Sequence, residues 1–331
     1  MRFRTVAAVT PTVAATAAVG PAVAASTVEA SASSAESVSP TLGVPIENAP
    51  TTRRLYPSPN QAKSAEPPIY SNGCHSWPPR TAAKACVYGA KKSNKTVMLF
   101  GDSHAAHWFG GIRDIADQNR YRMLSVTKSS CPAADLRVRR YRGKQVHTSC
   151  FPWRQNVFKK LNAQAWGDID VAVISSWHFH QVLGRGKLLK GASRQAEWAR
   201  AINRTLSVLS ANVDQVIVLR DSPQMPRGMN GYWRCIAKNQ ARPKRCGTAT
   251  SKALPAGIWG IEKYAAARFP NVKAVDLSTQ FCGGSFCSPV DGKLLAFKDD
   301  NHWNQVYVRA RLGPKLAPHV TTAMEQQDQQ A

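Results

Sequence analysis

The residues best suited to chemistry lie in two stretches, "TVMLFGDSHAAHW" (96–108) and "FKDDNHWNQ" (297–305). In the first, an apolar run ends on Gly101, Asp102, Ser103 and His104, and a helical pattern begins at once. A glycine allows a tight turn off a strand. Ser103 would then stand at the mouth of the next helix, where backbone N–H groups without intrahelical partners can hold an oxyanion. A serine hydroxyl is a weak nucleophile until a base takes its proton. The second stretch offers that base. Asp299 and His302 stand three residues apart before the last helical pattern. A carboxylate at that spacing can orient one imidazole nitrogen and leave the other for Ser103. Asp299 as a simple helix cap is the plainer alternative. His104 and His107 are rival bases. Their spacing also suits a metal pair, but no third ligand is evident, so no metal and no other cofactor is expected.

The elements around these residues alternate. Short apolar runs at 96–100, 121–126, 170–175, 215–220 and 272–277 read as strands. Helical patterns cover 104–119, 192–211, 256–269 and 304–316, with Ala196, Ala199, Ile202, Leu206 and Leu209 on one face of the second. Strand and helix in alternation predict an α/β fold with a central parallel sheet covered on both faces. Sites in such sheets lie at the carboxyl ends of the strands, which is where Ser103 falls.

The chain has 331 residues, 43% of them hydrophobic, enough for a sizeable core. Lys and Arg number 44 against 20 Asp and Glu, a net charge of +24. That excess favours anionic partners such as wall polymers or a membrane surface. No basic block with interleaved aromatics resembles a nucleic-acid module, and nucleic acid is not an expected partner. Residues 1–25, with Arg2 and Arg4 before an Ala/Val-rich run, read as an export signal. A spurious upstream extension or the remnant of a membrane domain are the alternatives. Residues 26–70 are Ala/Ser/Pro-rich and read as a disordered linker, 71–320 as the folded domain and 321–331 as a polar tail. No stretch is apolar for long enough to suggest a membrane span. Eight cysteines behind an export signal favour disulfides, with zinc as the alternative. The simplest connectivity joins sequence neighbours: Cys74–Cys86, Cys131–Cys150, Cys235–Cys246 and Cys282–Cys287. This is the pattern of an extracytoplasmic protein, secreted or associated with the cell envelope.

"LFGDSHAAHW" followed by "DDNHW" resembles the SGNH hydrolase superfamily, and most of all the SGNH domain fused behind an integral-membrane acyltransferase-3 domain. The resemblance spans roughly residues 52–317. It takes in "LYPSPNQA", "GCHSWPP", "ACVYG", "TKSSCP", "VISSWHF", "VLRDSPQMP" and "RCIAKN". It implies a flavodoxin-like three-layer α/β/α sandwich, the SGNH fold. It also implies transfer or removal of O-linked acyl groups, commonly acetyl, on extracytoplasmic glycans. Carried over by motif, Ser103 is the nucleophile, His302 the base and Asp299 its orienting partner.

The superfamily also places a Gly and an Asn in its oxyanion hole, where this chain reads "TKSSCP" and "SSWHF". The Ser103 N–H is one expected donor, and Ser130 and Trp177 are the candidates for the others. The acyl donor would come from a separate membrane acyltransferase, unless the protein is an esterase. A monomer is expected. In "DLRVRRYRGKQVH" (135–147), Arg139 and Arg140 could hold an anionic glycan, with a merely solvated loop as the alternative. Trp177, followed by His178 and His180, follows the third strand and could stack on a sugar ring. A different class of function, a non-catalytic wall-polymer-binding module with a basic face, remains open from sequence.

Overall fold

The computed structural model describes residues 54–140, 143–226 and 228–328. The expected export signal and the first part of the linker lie outside the described residues. The central sheet has six parallel strands: β1 (His75–Ser76), β3 (Thr96–Gly101), β4 (Arg122–Lys128), β5 (Val171–Ser175), β6 (Gln215–Leu219) and β7 (Val272–Val275). Their order is β1-β4-β3-β5-β6-β7. β2 (Cys86–Gly89) runs antiparallel along β4.

β3 is buried throughout, and its side chains alternate between two cores. Val97 and Leu99 face one core, Met98 and Phe100 the other. β5 and β6 repeat the division: Val171, Val173, Ile217 and Leu219 on one side, Ala172, Ile174, Val216 and Val218 on the other. A strand covered on both faces reads as a continuous apolar run because neither face meets water.

One helical layer, which shares its core with α6 (Gly228–Lys238), holds α3 (Phe109–Gln118) and α8 (Gly313–Asp328). They pack closely through Gly111 and Gly313, where an added Cβ on either would lie 3.0 Å from the other's Cα. The other layer holds α4 (Cys150–Asn162), α5 (Gly191–Asn212) and α7 (Ala256–Ala266). The result is the three-layer α/β/α sandwich expected of the SGNH fold. No helix among the described residues is long and apolar enough to cross a membrane. All eight cysteines are paired, as Cys74–Cys86, Cys131–Cys150, Cys235–Cys246 and Cys282–Cys287.

The structure corrects the sequence reading in four places. Residues 54–70 are not linker: α1 (Pro59–Ser64) opens with a capping box between Ser58 and Gln61, and Leu55, Ala62 and Ile69 join the core. Three apolar side chains spaced among Pro and Ser are too few to show a period. The helix expected over 104–119 is two, α2 (Ser103–Ala106) and α3, separated at His107–Trp108. On α5 the buried stripe includes Trp198, Ala201 and Thr205, while Ala196 is exposed. Residues 321–331 are not simply a tail, because α8 runs to Asp328 with Ala323 and Met324 in the core.

Candidate active site

Ser103 is the first residue of α2, directly off the carboxyl end of β3. Gly101 makes the exit possible. Its φ is +147°, and a Cβ there would run into the Ser175 carbonyl of the neighbouring strand. Asp102 is fully buried and braces the turn. Its carboxylate accepts hydrogen bonds from the backbone N–H of His104 (2.8 Å) and of Trp177 (3.0 Å), and pairs with His180 Nε2 (2.6 Å). Burial alone would raise the Asp102 pKa, but the His180 bond and charge, with His104 and the Trp177 N–H, bring it down to about 2.

Across the cleft, the Ser103 hydroxyl lies 2.8 Å from His302 Nε2. His302 Nδ1 lies 2.9 Å from Asp299 Oδ2 and 3.0 Å from Oδ1. Asp299 Oδ1 also accepts the backbone N–H groups of Asn301 (2.9 Å) and His302 (2.7 Å), which lock the loop. Burial pushes the Asp299 carboxyl up, but the His302 imidazole and these N–H donors hold it well below the usual carboxylate range. The order hydroxyl, imidazole, carboxylate is that of a nucleophile, its base and the group that fixes the base's tautomer.

Neither rival base serves Ser103. His104 Nδ1 lies 2.5 Å from Asp221 Oδ1, and its ring centroid is 4.6 Å from that of His302. Burial acts to lower the His104 pKa, but Asp221, with Asp102 and Asp299, overcomes it and the net shift is upward. His107 is fully buried with neither ring nitrogen bonded, and burial with the nearby His104, His302 and Lys298 pushes its pKa well down. No hydrogen bond joins either ring to the Ser103 hydroxyl.

Of the two expected oxyanion donors besides Ser103, the structure separates one from the other. Ser130 follows β4, lines the cleft and has a left-handed φ of +53°. No acceptor among the described residues takes its N–H. Trp177 is a correction: its backbone N–H is committed to Asp102, and its indole N–H donates to Gln224 Oε1 (3.3 Å). Its ring is part of the cleft wall. Arg139 and Arg140 do not line the cleft. They lie on the loop closed by Cys131–Cys150, whose base meets the cleft where His147 Nε2 lies 2.9 Å from the Ser129 carbonyl.

The cleft holds about 260 Å³, with Ser103, Ser130, Trp177 and His302 in its walls. A larger hollow of about 770 Å³ opens at the opposite, amino ends of the strands, around Lys95, Asp170 and Asn271, remote from Ser103. Sequence reasoning missed Asp102, Asp221 and Gln224 as parts of the site. The acid of Gly-Asp-Ser and the acid of "VLRDSP" both stand at strand ends, which was the available signal.

A serine at the carboxyl edge of a parallel sheet in this order, facing an Asp-x-x-His loop, defines the SGNH class of α/β/α domains. The family described as the SGNH domain fused to AT3 domains matches residues 73–318, and the chain belongs to it. Among solved structures, the chain resembles the periplasmic domain of the lipopolysaccharide acetyltransferase of Salmonella ser. Paratyphi A. The TM-score is 0.51 at 16% identity, over 70% of this chain and 86% of that one. At that identity the likeness is one of fold. A GDSL-like lipase from Bacteroides thetaiotaomicron aligns with a TM-score of 0.36 at 15% identity, over 70% of this chain and 88% of that one. No curated protein matches the chain.

Proposed function

We propose that the protein is a serine-dependent O-acyltransferase or O-acyl esterase, acting on cell-surface or cell-wall carbohydrate outside the cytoplasm. The observation that carries this reading is the unbroken line from the Ser103 hydroxyl through His302 to Asp299. Ser103 Oγ attacks the carbonyl carbon of the acyl donor as His302 Nε2 takes its proton. The Ser103 and Ser130 N–H groups hold the oxyanion. Collapse breaks the ester bond, the leaving oxygen takes the proton from His302, and the acyl group stays on Ser103. A sugar hydroxyl, or water in the esterase, then gives its proton to His302 and attacks. The second collapse returns the proton to Ser103.

Acetyl is the simplest acyl group for this reading, and a cleft of about 260 Å³ admits it beside Ser103. Four disulfides support a place in an oxidising compartment. A membrane acyltransferase supplies the acyl group, and Arg139 and Arg140 attract an anionic glycan toward the cleft.

Treatment with a fluorophosphonate, followed by mass measurement of peptides, tests the nucleophile. An adduct on Ser103, absent in His302→Ala, is expected. No adduct on Ser103 would overturn the reading and favour a non-catalytic polymer-binding module. Incubation with an activated acetyl ester, with and without glycan acceptors, then separates transfer from hydrolysis.

A further inference from the structure

The cleft continues past Ser103 on the side away from Trp177. Strand order lays it out: Trp177 follows β5, Ser103 follows β3, Ser130 follows β4, and His75 lies on β1. β1 is two strand spacings from β3, roughly 10 Å. Three side chains at that end lie outside the Ser103–His302–Asp299 line, although the Tyr70 hydroxyl donates to the Ser103 carbonyl at 3.5 Å. Trp77 is 44% exposed. Its ring is nonetheless held, edge-on to Tyr70 at 5.9 Å and to His75 at 5.0 Å. All three rings line the same cleft as Ser103.

His75 supplies an independent observation. It is fully buried, and its Nδ1 lies 2.9 Å from Thr127 Oγ1, but Nε2 has no partner. Burial lowers its pKa to about 3, so the ring is neutral. A buried ring nitrogen without a protein partner is satisfied by water or by a ligand, and this one belongs to a ring in the cleft wall. A hydroxyl is the matching group, since it donates or accepts and so serves either tautomer. An exposed, rigid aromatic face beside an unsatisfied polar atom fits a molecule with an apolar face and hydroxyl edges. A pyranose ring has both, whereas a longer acyl chain offers nothing to Nε2.

We propose that Tyr70, His75 and Trp77 form a subsite for one pyranose ring of the acceptor glycan. The C–H face of the ring stacks on Trp77, and one hydroxyl bonds to His75 Nε2. The ion pair of Lys298 with Glu66 (3.1 Å) sits at the rim, where further hydroxyls can reach it. Holding one ring here selects which hydroxyl of the glycan meets the acyl group on Ser103. The purpose of the subsite rests on the proposed acyl transfer, but its ability to bind sugar does not.

The test is calorimetric titration of the whole chain with cellopentaose, chitopentaose and mannopentaose, alongside fluorophosphonate labelling of the unaltered protein. The unaltered protein is expected to bind at least one of these saturably. Trp77→Ala should weaken that binding about tenfold or more, and Trp77→Phe should restore most of it. His75→Gln keeps a polar group and should fall between. Thermal melting identifies any variant that has lost its fold, and Trp77→Phe then decides. Saturable binding equal in Trp77→Ala and the unaltered chain overturns the subsite, as does no binding of any of the three. Saccharide binding lost in Trp77→Ala without an adduct on Ser103 sinks the nucleophile and leaves the subsite standing. An adduct without saccharide binding does the reverse.

Discussion

Asp299 and Asp300 are neighbours in the chain and turn their carboxylates to different partners. Asp299 meets His302 Nδ1 at 2.9 Å, while Asp300 Oδ2 accepts from Gln224 Nε2 at 2.8 Å. Asp299→Asn should therefore cost up to about 10⁴-fold in ester turnover, by misdirecting the imidazole. Asp300→Asn should cost far less, since it leaves the His302 contacts in place. Steady-state rates on an activated acetyl ester decide, and a dominant effect at Asp300 would reverse the assignment.

Ser103→Ala and His302→Ala should each reduce turnover to near background. The double variant should lose little more, because nucleophile and base act as one unit. Rates that fall multiplicatively in the double variant would show that the two side chains act independently.

Asp102 links the site to stability. Its folded pKa of about 2 lies below the reference value of 3.8, so its ionised form favours the folded state. The contribution, on the order of 2 kcal/mol, is present above about pH 4 and is lost as pH falls through about 2. Urea unfolding from pH 6 down to pH 2 should show that loss. Asp102→Asn should be less stable at pH 6 and flatter across the same window. An unchanged slope in the variant would place the acid sensitivity elsewhere.

Gly101→Ala forces a Cβ toward the Ser175 carbonyl at a φ of +147°. It should destabilise the fold by more than about 2 kcal/mol and lower Tm by roughly 5 °C or more. An unchanged Tm would mean that the turn relaxes without cost.

Arg139 is half-buried and Arg140 exposed, beside the cleft rather than in it. Arg139→Ser with Arg140→Ser should weaken retention on an anionic polysaccharide such as alginate. The difference from the unaltered protein should shrink with added salt, since exposed charges are screened within about 8–10 Å. Equal retention at low salt would leave the loop as a solvated surface.

The features legible in the order of amino acids are mostly local. The apolar runs of β3, β5 and β6 announced a sheet covered on both faces, because period and burial are properties of consecutive residues. Ser103 at a strand end and the Asp299-x-x-His302 spacing were legible for the same reason, as were four cysteine pairs between sequence neighbours. Tertiary structure alone decided the partners. Ser103 and His302 are 199 residues apart, and His104 and His107, far nearer in sequence, are drawn off by Asp221 and by complete burial. Trp177 looked free to donate until packing brought Asp102 against its N–H. Residues 54–70 showed no period, yet they place Tyr70 in the cleft wall and Ile69 in the core. Such choices depend on which side chains meet across the sheet, and the chain must close before that competition is settled.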